Sequence, residues 1–339
     1  MKRLLCAVFA LLTISSTSEG QNLSNNISTV SSEYSRLYVG PLVDAYGANI
    51  NAGLFHTARI GGGLIPKVDL YVGVKEFGAL LPADRSLSFS YQTEEVFTGP
   101  DGSQYRVPVV FEVEDAPTVF GETDAGEITA EVNETVNEGL DGVLGTADDI
   151  VIRETASLRL LPGLINTPVA PLLIPQVGIG SFAGTDVLIR YLPTVSTDTY
   201  GKISFRGFGV RHSISQYIPM FPASLSAQFV YQRLSIDDAS ERQTLRANAY
   251  AANVAISKSL AVITLYGGLQ IEKTKVAFDY SYDTGIAELG IQEIRFTDQA
   301  GNRFRVIAGL TFSPGPLQVN VDYALGAMNT VSAGVGISL

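Results

Sequence analysis

From about residue 186 to the C-terminus the chain alternates apolar and polar positions in one run after another: 186–192, 201–212, 224–235, 244–257, 260–271, 275–282, 290–297, 303–313, 317–325 and 330–339. Between residues 317 and 323, Leu317, Val319, Val321 and Tyr323 fall on one side and Gln318, Asn320 and Asp322 on the other. In the last run Val331, Ala333, Val335, Ile337 and Leu339 share a face opposite Ser332, Gly334, Gly336 and Ser338. A period of two is the signature of a strand with one apolar and one polar face. Turn-forming residues at 298–302, 313–316 and 326–329 separate several of the runs.

Earlier in the chain, 58–64 with 68–77 predicts a hairpin around Pro66 and Lys67, and 87–97 with 105–113 predicts another around residues 99–102. Residues 150–161 predict one more strand. A soluble sandwich and a membrane barrel produce the same alternation with opposite faces in contact with solvent. Length separates them: several runs reach about 10–13 residues, near the roughly 9–11 that cross a bilayer at a tilt and beyond the usual globular strand. The expected fold is therefore all-β, an antiparallel up-and-down transmembrane β-barrel of about 12–16 strands.

Two stretches break the rhythm. Between residues 31 and 54, Tyr34, Leu37, Tyr38, Leu42 and Val43 recur at loosely helical spacing. That pattern fits a short helix in the lumen or on the rim, or an irregular lead-in to the first strand. Residues 161–180 are apolar but carry Pro162, Pro168, Pro171 and Pro175. Prolines at that density predict an irregular segment rather than a helix or a central strand.

Composition agrees with a membrane barrel. Of 339 residues 46% are hydrophobic and 17% charged, with 33 glycines, 15 tyrosines, 16 phenylalanines and no tryptophan. Mean hydropathy is +0.20, yet past the N-terminus no apolar run is long enough for a helical span. The net charge of −11 excludes a nucleic-acid partner, which requires a basic face. Lys2 and Arg3 before an apolar run at 4–14, followed by small and polar residues, have the order of a secretory signal peptide over residues 1–20. Cys6, the only cysteine, lies inside that run, so the exported chain is expected to lack thiol chemistry and disulfides. Residues 21–57 then form an N-terminal segment able to plug the lumen. Residues 58–339 form the barrel, with an acidic extramembrane insertion at about 112–150.

Chemistry-bearing residues are few. His212 and Ser213 are adjacent, but neighbours on a strand point to opposite faces and cannot act as base and nucleophile; His56 lies far away in sequence. No enzyme activity is expected and no catalytic residue is assigned. The sharpest local motif is Asp141-Gly142-Val143-Leu144-Gly145-Thr146-Ala147-Asp148-Asp149. It resembles the acidic calcium loops of bacterial surface proteins, so Asp141, Asp148 and Asp149 are candidate Ca2+ ligands; a solvated acidic turn has the same composition. Arg190, Arg206, Arg211, Asp279 and Asp322 are candidates for lining the lumen, or for pairing with one another to close it.

Residues 38–58 (YVGPLVDAYGANINAGLFHTA), 116–121 (APTVFG) and 175–193 (PQVGIGSFAGTDVLIRYLP) resemble the recurring blocks of an outer-membrane β-barrel family from Bacteroidota and relatives. That family has no assigned chemistry and is remotely similar to the long-chain fatty-acid transporter barrels. The resemblance implies an outer-membrane location and a barrel with its lumen plugged by an N-terminal segment. The first functional expectation is a passive channel or uptake route for a small, hydrophobic solute, with the outer-membrane bilayer as partner. A structural or surface-interaction barrel with a closed lumen and a secreted sandwich adhesin are the alternatives.

Overall fold

The computed structural model describes residues 32–61, 69–124, 126–137, 145–146, 149–163, 166–197, 201–237, 243–283 and 291–339. The expected signal peptide lies outside them. Among the described residues one α-helix, α1 (Ser32–Ile50), is followed by fifteen strands: β1 (Asp69–Leu80), β2 (Ser86–Thr98), β3 (Gln104–Pro117), β4 (Glu127–Asn137), β5 (Ile150–Arg159), β6 (Val169–Phe182), β7 (Thr185–Thr197), β8 (Gly201–Ser213), β9 (Ser224–Asp237), β10 (Gln243–Leu260), β11 (Ile263–Asp283), β12 (Ile291–Gln299), β13 (Phe304–Phe312), β14 (Leu317–Leu325) and β15 (Thr330–Ser338). They divide into two units, one holding Val39–Ala83 and Thr167–Leu339, the other Glu33–Tyr38 and Asp84–Asn166.

The first unit is a closed antiparallel barrel. Its strands run β1-β6-β7-β8-β9-β10-β11-β13-β14-β15, and β15 returns to pair with β1. Ten strand positions close the ring. The remaining strands are the two hairpins of the second unit and β12, which continues the line of β13. β11 pairs with β13 from Ile263 to Ile271 and with β12 from Lys275 to Asp283. Residues 298–302, expected as a turn between strands, are thus largely a break within one line. Asn302 holds it by exchanging hydrogen bonds with the Met328 backbone at 3.1 and 2.6 Å.

The alternation sorts side chains by solvent. On β11, Ile263, Leu265, Leu269 and Ile271 face out and are 44–62% exposed, while Tyr266, Gln270, Glu272 and Thr274 face in and are buried. The same holds for β14, where Val319 and Val321 are exposed and Asn320 and Asp322 buried. Apolar outside and polar inside is the arrangement of a barrel solvated by lipid. At one end lie the connections 183–184, 261–262 and 313–316, and the ten residues 214–223 between β8 and β9. At the other end the chain leaves β1 for the β2–β5 insertion and re-enters β6, and β11 runs on beyond Ile271 to pair with β12.

Two local expectations are corrected. Residues 58–61 are not a strand, so β1 has no hairpin partner before it and pairs instead with β6 and β15. Of residues 161–180, expected as irregular, those from Val169 on belong to strand β6. The strand tolerates Pro171 and Pro175 because from Val169 to Pro175 it is paired only with β1, while its ladder to β7 begins at Gln176. Proline's missing N–H removes no bond where no partner strand lies.

The second unit is built in the opposite sense. The hairpins β2–β3 and β4–β5 bury Val107, Val109, Phe111, Val113, Val132 and Ile152 in a common apolar core and leave Glu112 and Glu114 exposed. The first turns of α1 belong to this unit. Its Tyr34 hydroxyl accepts from Leu161 N at 3.0 Å, and the Tyr38 hydroxyl donates to Pro162 O at 2.6 Å.

Candidate functional site in the barrel lumen

Residues 43–58, the C-terminal part of α1 and the segment after it, lie within the ring of strands. Val43, Ala45, Ala48 and Ile50 are buried, as are Ala52, Leu54, Phe55 and Ala58. Beyond the last helical turn the backbone has carbonyls that no helix satisfies, and inward side chains of the strands take them one after another. Arg305 Nη2 donates to Ala48 O at 2.9 Å, Arg190 Nη1 to Ile50 O at 2.8 Å and Nη2 to Ala52 O at 3.3 Å, and Gln270 Nε2 to Asn51 O at 2.9 Å. Further along, Gln228 reaches Leu54 O at 3.3 Å, Lys75 Nζ reaches Phe55 O at 3.3 Å and the Thr311 hydroxyl reaches His56 O at 2.6 Å. Arg211 donates to Thr57 O. The donors come from β1, β7, β8, β9, β11 and β13, so the segment is gripped from around the ring.

Two arginines set the electrostatics. A helix C-terminus carries a partial negative charge, and both Arg190 and Arg305 are directed at it. Arg305 also pairs with Glu272 at 2.5 Å, each side chain being 1% exposed, and Gln270 Nε2 donates to the other Glu272 oxygen at 2.6 Å. Arg190 donates to Gln232 and packs over the rings of Phe77 and Phe205, 4.9 and 5.6 Å from their centroids. Asn51 ties the two sides together: its Nδ2 donates to Thr274 Oγ1 at 3.0 Å and its Oδ1 accepts from Gln232 Nε2 at 3.1 Å.

The apolar part of the segment has its own seat. Leu54, Phe55 and Ala58 pack with Leu188, Val230, Ala251, Ala255, Tyr266, Ile307 and Ala324. Phe55 meets Tyr266 edge-on at 5.8 Å, and the Tyr266 hydroxyl donates to Asp322 Oδ2 at 2.9 Å. Gly53 has φ +59°, and a Cβ there would collide with the Phe77 ring, so both its conformation and its space require glycine. Toward the end of the barrel that carries residues 261–262 and 313–316, a chamber of about 270 Å3 remains, lined among others by His56, Tyr71, Asp186, Arg211 and Gln318. Arg211 Nε lies 3.1 and 3.2 Å from the Asp186 carboxylate oxygens.

Of the residues singled out in the sequence, Arg190, Arg211 and Asp322 point into the lumen. Arg206 and Asp279 do not, and that expectation is corrected. Arg206 alternates with buried Phe205, and Asp279 shares the outward face of Leu269 and Ile271 and pairs with Arg295 at 3.1 Å. Asp141 and Asp148 lie outside the described residues. Asp149 uses its carboxylate within its own loop, accepting from Gly145 N at 2.6 Å and from the Thr146 hydroxyl at 3.3 Å. Among the described residues no group of three or more His, Cys, Asp and Glu side chains is placed to hold a metal. His212 lies on the outer face, in hydrogen-bond range of Thr185, Gln216 and Tyr217.

Glu272, Arg305, Lys75, Gln232, Gln270 and Asn51 were not singled out. A signal for three of them was present: Gln270, Glu272 and Thr274 recur every second residue in line with Tyr266, and Arg305 stands between Phe304 and Val306.

The whole chain, residues 1–339, matches the model of a family of unknown function, DUF6588. It belongs to that family. This DUF6588 member has no match among curated proteins. Solved structures similar to it include the translocator domain of the autotransporter NalP from Neisseria meningitidis, at 13% identity over 86% of this chain and 92% of that one, TM-score 0.29. OmpT with loop L8 deleted, an outer membrane protein of Vibrio cholerae, is 12% identical over 80% and 99%, TM-score 0.25. Ail, the attachment invasion locus protein of Yersinia pestis, is 11% identical over 80% and 97%, TM-score 0.23. At these scores the assignment as a membrane barrel stands on the strand pairing and the outward apolar belt of the chain itself.

Proposed function

We propose that this DUF6588 member is an outer-membrane barrel whose lumen is held shut by its own residues 43–58, and that it anchors the β2–β5 module rather than forming a standing pore. The observation that carries this reading is the run of carbonyls from Ala48 to Thr57 taken up by side chains around the ring. A diffusing solute meets that segment before it meets an open wall. By the rule that puts the larger insertions of such barrels outside, the end at which the chain leaves β1 and re-enters β6 faces out and the opposite end faces the periplasm.

A second reading keeps the barrel as an uptake route for a small hydrophobic solute. The chamber of about 270 Å3 beside the segment and the resemblance to fatty-acid transporter barrels favour it, and it requires the segment to withdraw. Planar-bilayer recording tests both. The closed barrel gives no standing current, and Arg190→Ala combined with Arg305→Ala, which releases the helix end, gives one. A steady ohmic current from the unaltered protein overturns the closed reading in favour of the route.

A further inference from the structure

The outer face carries a feature unrelated to the lumen. On β8–β11 the apolar belt stops at one level, and cations follow at once. Phe208 is succeeded outward by Arg206, Tyr231 by Arg233, and Ile271 by Lys273 and Lys275; Arg246 stands two positions beyond Asn248, itself next to Tyr250 on that face. The register brings these residues together. Arg206 is directly opposite Arg233, Arg233 opposite Asn248, and Asn248 opposite Lys275, while Lys273 faces Tyr250 and Arg246 is diagonal to Arg233. None of the five cations forms an ion pair with a described residue. The described carboxylates of this face, Asp237 and Asp279, lie farther out; Asp279 is held by Arg295.

Like charges directly opposite on neighbouring strands destabilise a sheet, so Arg206 beside Arg233 calls for an anion. The cluster lies toward the end at which the chain leaves β1 and re-enters β6, at the edge of a lipid-facing surface, where the tilted rings of Tyr231 and Tyr250 meet at 5.0 Å as in an aromatic belt at a membrane interface. An anion bound there has acyl chains beside it. We propose that Arg206, Arg233, Arg246, Lys273 and Lys275 form a binding site for the phosphates of a diphosphorylated glycolipid of the outer leaflet, its chains lying along Tyr250, Val254 and Leu269. This site is independent of whether the lumen is open.

The test is binding of hexa-acylated diphosphoryl lipid A to the full-length protein in neutral detergent, followed by native mass spectrometry or thermophoresis. A triple variant, Arg206→Ala, Arg233→Ala and Lys275→Ala, is expected to bind about 100-fold more weakly, at roughly fivefold per interfacial cation. Lys258→Ala, an outward lysine at the opposite end of β10, is expected to leave binding unchanged, and heat-modifiable electrophoretic mobility verifies that each variant is folded. Equal binding by the folded triple variant overturns the site. Equal displacement by inorganic phosphate, or equal binding of a zwitterionic phospholipid, overturns the assignment to a phosphorylated glycolipid.

Discussion

β3 and β11 carry the same two-residue alternation with opposite sign. β3 hides Val107, Val109, Phe111 and Val113 and shows Glu112 and Glu114 to solvent; β11 hides Gln270, Glu272 and Thr274 and shows Leu265, Leu269 and Ile271. The periodicity specifies a strand in both cases, and only the solvent decides which face is enclosed. In β3 water drives apolar side chains together at roughly 25 cal/mol per Å2 buried. In β11 lipid offers apolar side chains no such incentive, and stability depends on polar groups inside the ring finding one another.

The difference is open to test by substitution. The largest effect is expected at the buried ion pair: Glu272→Ala leaves the Arg305 charge enclosed without its partner and costs about 3–5 kcal/mol, measured by urea unfolding in lipid vesicles. Phe111→Ala removes the largest side chain of the module's core and is expected to cost about 3–5 kcal/mol, read by proteolysis confined to the β2–β5 region while the barrel stays folded. Outward positions separate the regions most clearly. Leu269→Arg places a cation in the apolar belt and costs about 2–4 kcal/mol near the midplane, whereas Val110→Arg on the exposed face of β3 stays within about 0.5 kcal/mol; equal costs at the two positions contradict the assignment of solvents. The smallest effect concerns the β2–β3 turn. The Tyr105 hydroxyl donates to Asp101 at 2.8 Å and Ser103 N donates at 3.0 Å, which together hold the carboxyl below its usual value. A depressed carboxyl contributes stability above the ordinary carboxylate pKa of about 3.9 and loses it as pH falls through the lowered value. Tyr105→Phe is expected to raise the Asp101 titration toward that ordinary value in an NMR pH series.

How much of this was legible in the sequence follows from what each element depends on. β14 and β15 were readable because their alternation is unbroken and their turns are marked by Ser313-Pro314-Gly315-Pro316 and residues 326–329. β6 was not, because its prolines argue against a strand unless it is known that half of its β7-facing edge has no partner. Arg206 was assigned to the lumen together with Arg211, although five residues along one uninterrupted strand lead to opposite faces. Asp279 shares parity with Leu265, Leu269 and Ile271, and that alone was enough to place it outside. The lumen contacts of residues 48–57 were beyond reach for another reason: they are backbone carbonyls, and nothing in the identity of Ala48, Ile50 or Leu54 signals which distant donor each will meet. The size of the ring was equally hidden, since β2–β5 alternate like barrel strands and only their reversed polarity sets them apart.

The occupied lumen is tested most directly by thiol accessibility. Cys6 is the only native cysteine, so Cys6→Ser with Ala52→Cys gives a single thiol at a position 2% exposed in the structure. In the folded protein in vesicles, a small charged thiol reagent is predicted to leave this cysteine unmodified, with full labelling only after denaturation. Rapid labelling in the folded state would contradict a segment seated within the ring.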